Sequence, residues 1–225
     1  MSATQTRPPT DVVPSTSSSA RTVAAIAAAL FGVALFMTVA SVDVPHEPTD
    51  AELLQWWQQS GNRMSGLVSG MSAIAAAVLL PIVLNHLRTL TRAAKSPQWL
   101  AFARSMGAAV TAVWLVTGAT RALVSHLVDV MHEPLPRVDV LRFATGLNYT
   151  LLGVSGMTVL ALCMLAVSVV VLRTQVLGRW VGYVGAVCGG ITLIASLAQL
   201  GAFATLLAIL WSFCLAVAIY RQPTA

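Results

Sequence analysis

Charge is what this sequence has least of. Among 225 residues, 9% are Asp, Glu, Lys or Arg, against 57% hydrophobic, whereas soluble domains carry roughly 25% charged residues. A water-soluble fold of this length needs a charged surface that the chain cannot supply. Cysteine is scarce as well. Cys163, Cys188 and Cys214 all sit inside apolar blocks and none has C-x-x-C spacing. That argues against a disulfide framework or a thiolate zinc site and fits cysteine used as a small apolar residue. There is no Walker A motif, no G-x-G-x-x-G after a strand, no G-x-S-x-G and no H-E-x-x-H, so the common nucleotide-binding, hydrolase and metalloprotease signatures are missing. No chain of acids runs through the apolar blocks, as a proton pump would need. The net charge of +5 does not indicate nucleic acid, because the basic residues flank apolar blocks instead of forming a stripe with aromatics between them.

What is present is a series of apolar blocks, each about 20 residues long, the length that crosses a hydrocarbon core of about 30 Å. They predict six membrane spans at 22–41, 64–84, 105–127, 148–172, 180–198 and 202–220. The fold class expected is an all-α polytopic bundle of six transmembrane helices, arranged as three hairpins. Residues 1–20, rich in Ser, Thr and Pro, read as a disordered cytoplasmic tail, and 21–225 as the membrane domain. The first span reads as a retained helix, not a cleaved signal peptide, since its polar leader holds only two Arg. Arg7, Arg21, Arg88, Arg92, Lys95, Arg173, Arg179 and Arg221 fall on one side of the spans, and Arg63, Arg137 and Arg142 on the other. The basic side is cytoplasmic by the positive-inside rule. Both termini are therefore expected inside, with the plasma membrane as location and the lipid bilayer as the principal partner.

An internal repeat organises the first four spans. Val42-Asp43-Val44-Pro45-His46-Glu47-Pro48 recurs as Val128-Asp129-Val130-Met131-His132-Glu133-Pro134. At the same offset of 86, Val68-Ser69-Gly70-Met71 matches Val154-Ser155-Gly156-Met157, Asn62 matches Asn148, and Gly32 matches Gly118. Without gaps, residues 42–88 and 128–174 share 14 identities in 47 positions. The unit is a helix, an outer loop and a helix, with copies at 21–88 and 105–174. Both enter from the same side, which makes the repeat parallel. A third hairpin spans 178–221. Thr49-Asp50-Ala51-Glu52 has the form of a capping box. It is expected to open an amphipathic helix lying at the outer interface, with Trp56 and Trp57 in the headgroup layer.

The residues that could carry chemistry lie mostly in the outer loops. Asp43, His46 and Glu47 in the first copy and Asp129, His132 and Glu133 in the second offer two imidazoles and several carboxylates, a donor set suited to Zn²⁺, Fe²⁺ or Mn²⁺. The same set suits pH sensing. The structural alternative is that D-x-x-H-E-P is a helix-exit and helix-entry device that a duplicated hairpin carries twice. Arg121 lies within the third span, where an ionisable residue marks a candidate site. Its expected partner is Glu47, Asp129 or Glu133, and its structural alternative is snorkelling or a structural ion pair. His126, near the outer end of the same span, could join His46 or His132 as a haem ligand pair. Gly66 with Gly70, Gly178 with Gly182, and Gly185 with Gly189 have the GxxxG spacing of close helix contacts. Pro81 is expected to kink the second span.

With six spans, an acidic first outer loop and the Gly-Arg-Trp-Val-Gly entry into the fifth span at Gly178–Gly182, the chain resembles uncharacterised six-span membrane proteins of actinobacteria, grouped under domains of unknown function. The resemblance implies no activity and no functional residues. The residues themselves favour a non-enzymatic accessory, scaffold or sensor module, with a homo-oligomer or another membrane protein as its partner. Two alternatives stand beside it. One is a small-solute or metal-ion transporter with an outer D-x-x-H-E site and a divalent metal bound there. The other is a membrane oxidoreductase with a His-ligated cofactor.

Overall fold

The computed structural model describes residues 18–41, 44, 48–91 and 97–222. Among these, all regular structure is helical: α1 (Ser18–Ala40), α2 (Asp50–Gln58), α3 (Ser60–Leu90), α4 (Pro97–Ser125), α5 (Val138–Tyr149), α6 (Met157–Thr174), α7 (Arg179–Leu197) and α8 (Thr205–Tyr220). The stretches Ser18–Ala40, Ser60–Leu90, Gln98–Val130, Val138–Thr174 and Arg179–Leu197 are long and apolar enough to cross a membrane, and α8 is apolar but shorter, at 16 residues. The helices are patterned for lipid. On α1, Val23, Ile26, Leu30, Val33 and Met37 point outward, while Ala24, Ala27, Ala28, Phe31 and Leu35 are buried. Large apolar groups face out and mostly small ones face in, the pattern of a helix whose solvent is hydrocarbon. The chain is a multi-pass membrane protein. The expectation of six spans meets five helices of spanning length. The shortfall lies at 201–204, where the N–H groups of Ala204 and Thr205 bond back only three residues and form tight turns in place of a further α-helical turn.

The six long helices form a closed ring in chain order. α1 packs on α3, α3 on α4, α4 on α6, α6 on α7, α7 on α8, and α8 returns to α1. The interior is filled by Phe31, Leu35, Leu80, Trp114, Met157, Leu160, Met164, Trp211 and Leu215, all but fully buried. At the terminal end, Arg21 Nη1 donates to the Gln222 carbonyl at 2.5 Å, and Gln222 Nε2 donates to the Val176 carbonyl at 2.9 Å. The α3–α4 seam is close in backbone terms, with Gly70 and Gly118 set against one another's carbonyls. Pro81 sits inside α3 and leaves the Ala77 carbonyl without its helical donor. Thr111 Oγ1 of α4 supplies the missing bond at 3.1 Å. In hydrocarbon a freed backbone group must be satisfied by a neighbouring helix.

At the other end, α2 and α5 lie together as a cap. Thr49 and Glu52 form the expected capping box, with the Thr49 N–H donating to Glu52 Oε2 at 2.8 Å. Arg142 of α5 holds α2 through Asp50 and the Pro48 carbonyl. Leu53 and Trp57 turn inward and, with Val44, Val124 and Leu141, make a second apolar cluster beneath the cap. Of the two tryptophans expected in the headgroup layer, Trp57 is buried against the bundle and Trp56 is half-buried, because the apolar stripe of α2 faces down. α5 also differs from its counterpart. It runs into α6 through π-helical turns at Thr150–Gly156, so one helical rod extends from cap to terminal end, whereas α2 breaks from α3 at Gln59.

Candidate functional site

Arg121 stands on the buried side of α4, directly under the cap, and is 8% exposed. Its Nη1 donates to the Thr38 carbonyl at 2.6 Å and to the Ser69 hydroxyl, which itself donates to the same carbonyl at 2.6 Å. The local cause lies in α1. Thr38 belongs to the last turn of that helix, where carbonyls have no intrahelical donor and the helix dipole concentrates negative charge. The guanidinium therefore caps the C-terminus of α1, and Ser69 from α3 completes the arrangement. It remains incompletely used. Arg121 Nε is buried without a hydrogen-bond partner, and no acid among the described residues forms a salt bridge with it. An uncompensated buried charge costs several kcal/mol, and a carbonyl and a hydroxyl compensate only part of that.

Arg121 lines a cavity of about 70 Å³, shared with Val39, Trp57, Thr145, Asn148, Tyr149 and Gly153 among others. Every element under the cap contributes. The π-helical turn after Tyr149 brings Leu152 and Gly153 to the wall. Asn148 is held by the Thr120 hydroxyl, which donates to its Oδ1 at 2.6 Å. The Gly153 carbonyl is set so closely against Gly201 that a Cβ there would collide with it. The cavity is thus polar on the side of Arg121, Thr145, Asn148 and Tyr149, and apolar elsewhere.

Two of the acids expected beside Arg121, Asp129 and Glu133, are placed otherwise. Asp129 is gripped by Arg63, with Nη2 to Oδ1 at 2.7 Å and Nε to Oδ1 at 2.9 Å. Arg63 also donates to the Trp57 and Gln58 carbonyls at the end of α2, so one guanidinium ties the cap to the end of α4. Glu133 is exposed, and its backbone N–H closes onto the Leu127 carbonyl. His132 between them is exposed and takes a left-handed φ of 57°. The second D-x-x-H-E segment is therefore a helix exit: a π-helical turn at His126–Val130, then a reversal at His132. His126 is exposed. Asp43, His46 and Glu47 lie outside the described residues, so the two loops are not seen together. Among the described residues, no group of three or more His, Cys, Asp or Glu is placed to hold a metal ion.

The residues that sequence reasoning did not assign to the site are Thr38, Thr145 and Tyr149. Ser69 and Asn148 stood out only as repeated positions. That repetition was the available signal, since a polar residue kept twice within an apolar hairpin marks a place where backbone groups or charge need a partner. Comparisons with protein-family models, curated proteins and solved structures find no match to this chain.

Proposed function

We propose that the chain is a six-span, non-enzymatic module of the cell membrane, an accessory, scaffold or sensor. In this reading both termini are cytoplasmic, and the cap carries recognition on the outer side. α8 and the turns before it make the sixth span, and the three hairpins are α1–α3, α4–α6 and α7–α8. The observation that carries the proposal is the distribution of fixed polar structure. The cap is held by Arg142 to Asp50 and by Arg63 to Asp129, whereas the ring interior below Arg121 is filled by large apolar side chains. A rigid polar platform on an apolar, closed ring suits presentation to a partner better than passage through the middle. The parallel repeat is supported by Gly32 and Gly118, 86 residues apart, which each face the second helix of the hairpin adjacent in the ring: Gly32 meets Ser212 and Phe213 of α8, and Gly118 meets Gly70 and Ile74 of α3.

Topology is tested with single cysteines introduced at Gly61 and at Gln222. The first is expected to react with an impermeant maleimide in intact cells and the second only after lysis. Function is tested by metal analysis, a visible spectrum and vesicle flux of the purified protein. Colourless protein that neither retains nor transports Zn²⁺, Fe²⁺ or Mn²⁺ is the expected result. Near-stoichiometric metal that disappears in a His46→Ala/His132→Ala variant would replace this reading with the transporter, and a Soret band would replace it with the oxidoreductase.

A further inference from the structure

We propose that the cavity beneath the cap is a binding site for a small monovalent anion of halide size, held by Arg121. Three observations meet there. Arg121 is more than nine-tenths buried, and its Nε has no hydrogen-bond partner. Its neighbours at hydrogen-bond distance, the Thr38 carbonyl and the Ser69 hydroxyl, are neutral. The cavity it lines measures about 70 Å³ and is also bordered by Asn148 and Tyr149, whose amide and hydroxyl groups can donate, and by Thr145, whose own hydroxyl donates to the Leu141 carbonyl at 2.8 Å. A fixed cation in a low-dielectric setting needs a counter-charge, and the described residues supply none. The volume suits chloride or a few waters and is too small for sulfate with its hydration or for a lipid phosphate with its glycerol. The apolar walls from Val39, Val44, Leu152 and Ala202 favour a weakly hydrated monoanion over a strongly hydrated one. This inference does not depend on whether the module is a scaffold or a transporter, since the site is argued from Arg121 and the cavity it lines.

The test uses the full chain in nanodiscs of neutral lipid, with gluconate as the background anion. Chloride and bromide are titrated while thermal unfolding is followed by circular dichroism, and chloride binding is read independently from ³⁵Cl NMR line broadening. The expected result is a saturable rise of the midpoint, on the order of 5 °C at a hundredfold excess over the dissociation constant, with matching line broadening and no response to sulfate. Arg121→Gln should weaken binding by about tenfold or more, while Arg121→Lys should retain part of it. If Arg121→Gln does not fold, the wild-type titration and Arg121→Lys still decide the matter. Wild-type protein indifferent to halide overturns the proposal. So does a halide response that persists unchanged in Arg121→Gln, or a stability that follows anionic lipid instead of halide. A wild-type protein that ignores chloride while Glu47→Gln becomes chloride-dependent would assign the counter-charge to the chain's own carboxylate.

Discussion

Replacing Gly70 or Gly118 by alanine probes the α3–α4 seam, where two backbones meet without side chains between them. A Cβ on Gly70 would stand 2.6 Å from the Gly118 carbonyl oxygen and 3.0 Å from the Ala122 nitrogen; one on Gly118 would stand 2.7 Å from the Gly70 oxygen. Comfortable separation is about 3.5 Å, so either methyl forces the helices apart by roughly 0.9 Å. No rotamer relieves the approach to the two carbonyls, which are backbone, and at Gly118 the Ile74 Cγ1, 2.6 Å from the added methyl, must move as well. Overpacking of this kind costs about 1–3 kcal/mol, and a gap near 1 Å also forfeits up to about half of the dispersion energy along the seam. Each single variant is therefore expected near 2–3 kcal/mol. Because the two approaches are reciprocal, a separation that admits one methyl largely admits the other. The double variant should then cost about 3 kcal/mol instead of the roughly 5 kcal/mol that additivity gives. Gly190→Ala is the control: nothing lies within 4 Å of its Cβ position, and helix propensity should make it neutral or stabilising by about 0.5–1 kcal/mol. Thermal melts in one detergent, at about 2–4 °C per kcal/mol for a chain of this size, separate these values. Additive single variants, or single variants indistinguishable from Gly190→Ala, would refute the reciprocal approach.

Thr111→Val should lower stability by about 1–2 kcal/mol, because it strips the donor from the buried Ala77 carbonyl. Pro81→Ala in the same chain should remove most of that loss in the same melts by restoring the helical N–H. Gln199 holds a φ of 63° in the reversal after α7, where the Leu200 N–H closes onto the Ala195 carbonyl. Gln199→Gly should therefore raise stability by about 0.5–1 kcal/mol, as a shift of the denaturation midpoint. The backbone N–H and hydroxyl of Thr49 hold the Glu52 carboxyl below its ordinary value of 4.5. A lowered folded-state pKa contributes stability above the unfolded value, and that contribution is lost as pH falls through the folded one. The protection of the amides in Asp50–Gln58, relative to their intrinsic exchange rates, should hold from neutral pH to about 4.5 and fall only below it, and Glu52→Gln should flatten that dependence. Arg63→Ala should loosen the cap, read as faster exchange at the Trp57 and Gln58 end of α2, since Arg63 bonds both carbonyls there.

The long helices were legible because hydrocarbon demands apolar blocks of fixed length, and the capping box because its four residues satisfy one another locally. Glycine spacing pointed to three pairs, of which Gly66, Gly70, Gly182, Gly185 and Gly189 sit against neighbouring helices, whereas Gly178 meets only Trp180 of its own helix. What sequence could not supply was pairing between distant elements. Asp129 stood as a candidate partner of Arg121, and only the approach of α3 to the end of α4 gives it to Arg63. Arg121 carries no sign in its own neighbourhood that a carbonyl of α1 is its acceptor. The inward turn of Trp57 depends on how the cap sits, and the continuous rod of α5 and α6 depends on π-helical turns, which leave no pattern in hydropathy.

The closed ring sets an order of assembly. α1 is synthesised before α8, yet its Gly32 face is completed by Ser212 and Phe213 of α8, more than 170 residues later. At ordinary synthesis rates of about 5–20 residues per second, that face waits on the order of ten seconds for its match. The α1–α8 seam is the last joint made, and a chain halted after α7 presents an open groove to the bilayer. Chaperones and proteases that survey nascent membrane proteins meet that groove for as long as α8 is missing.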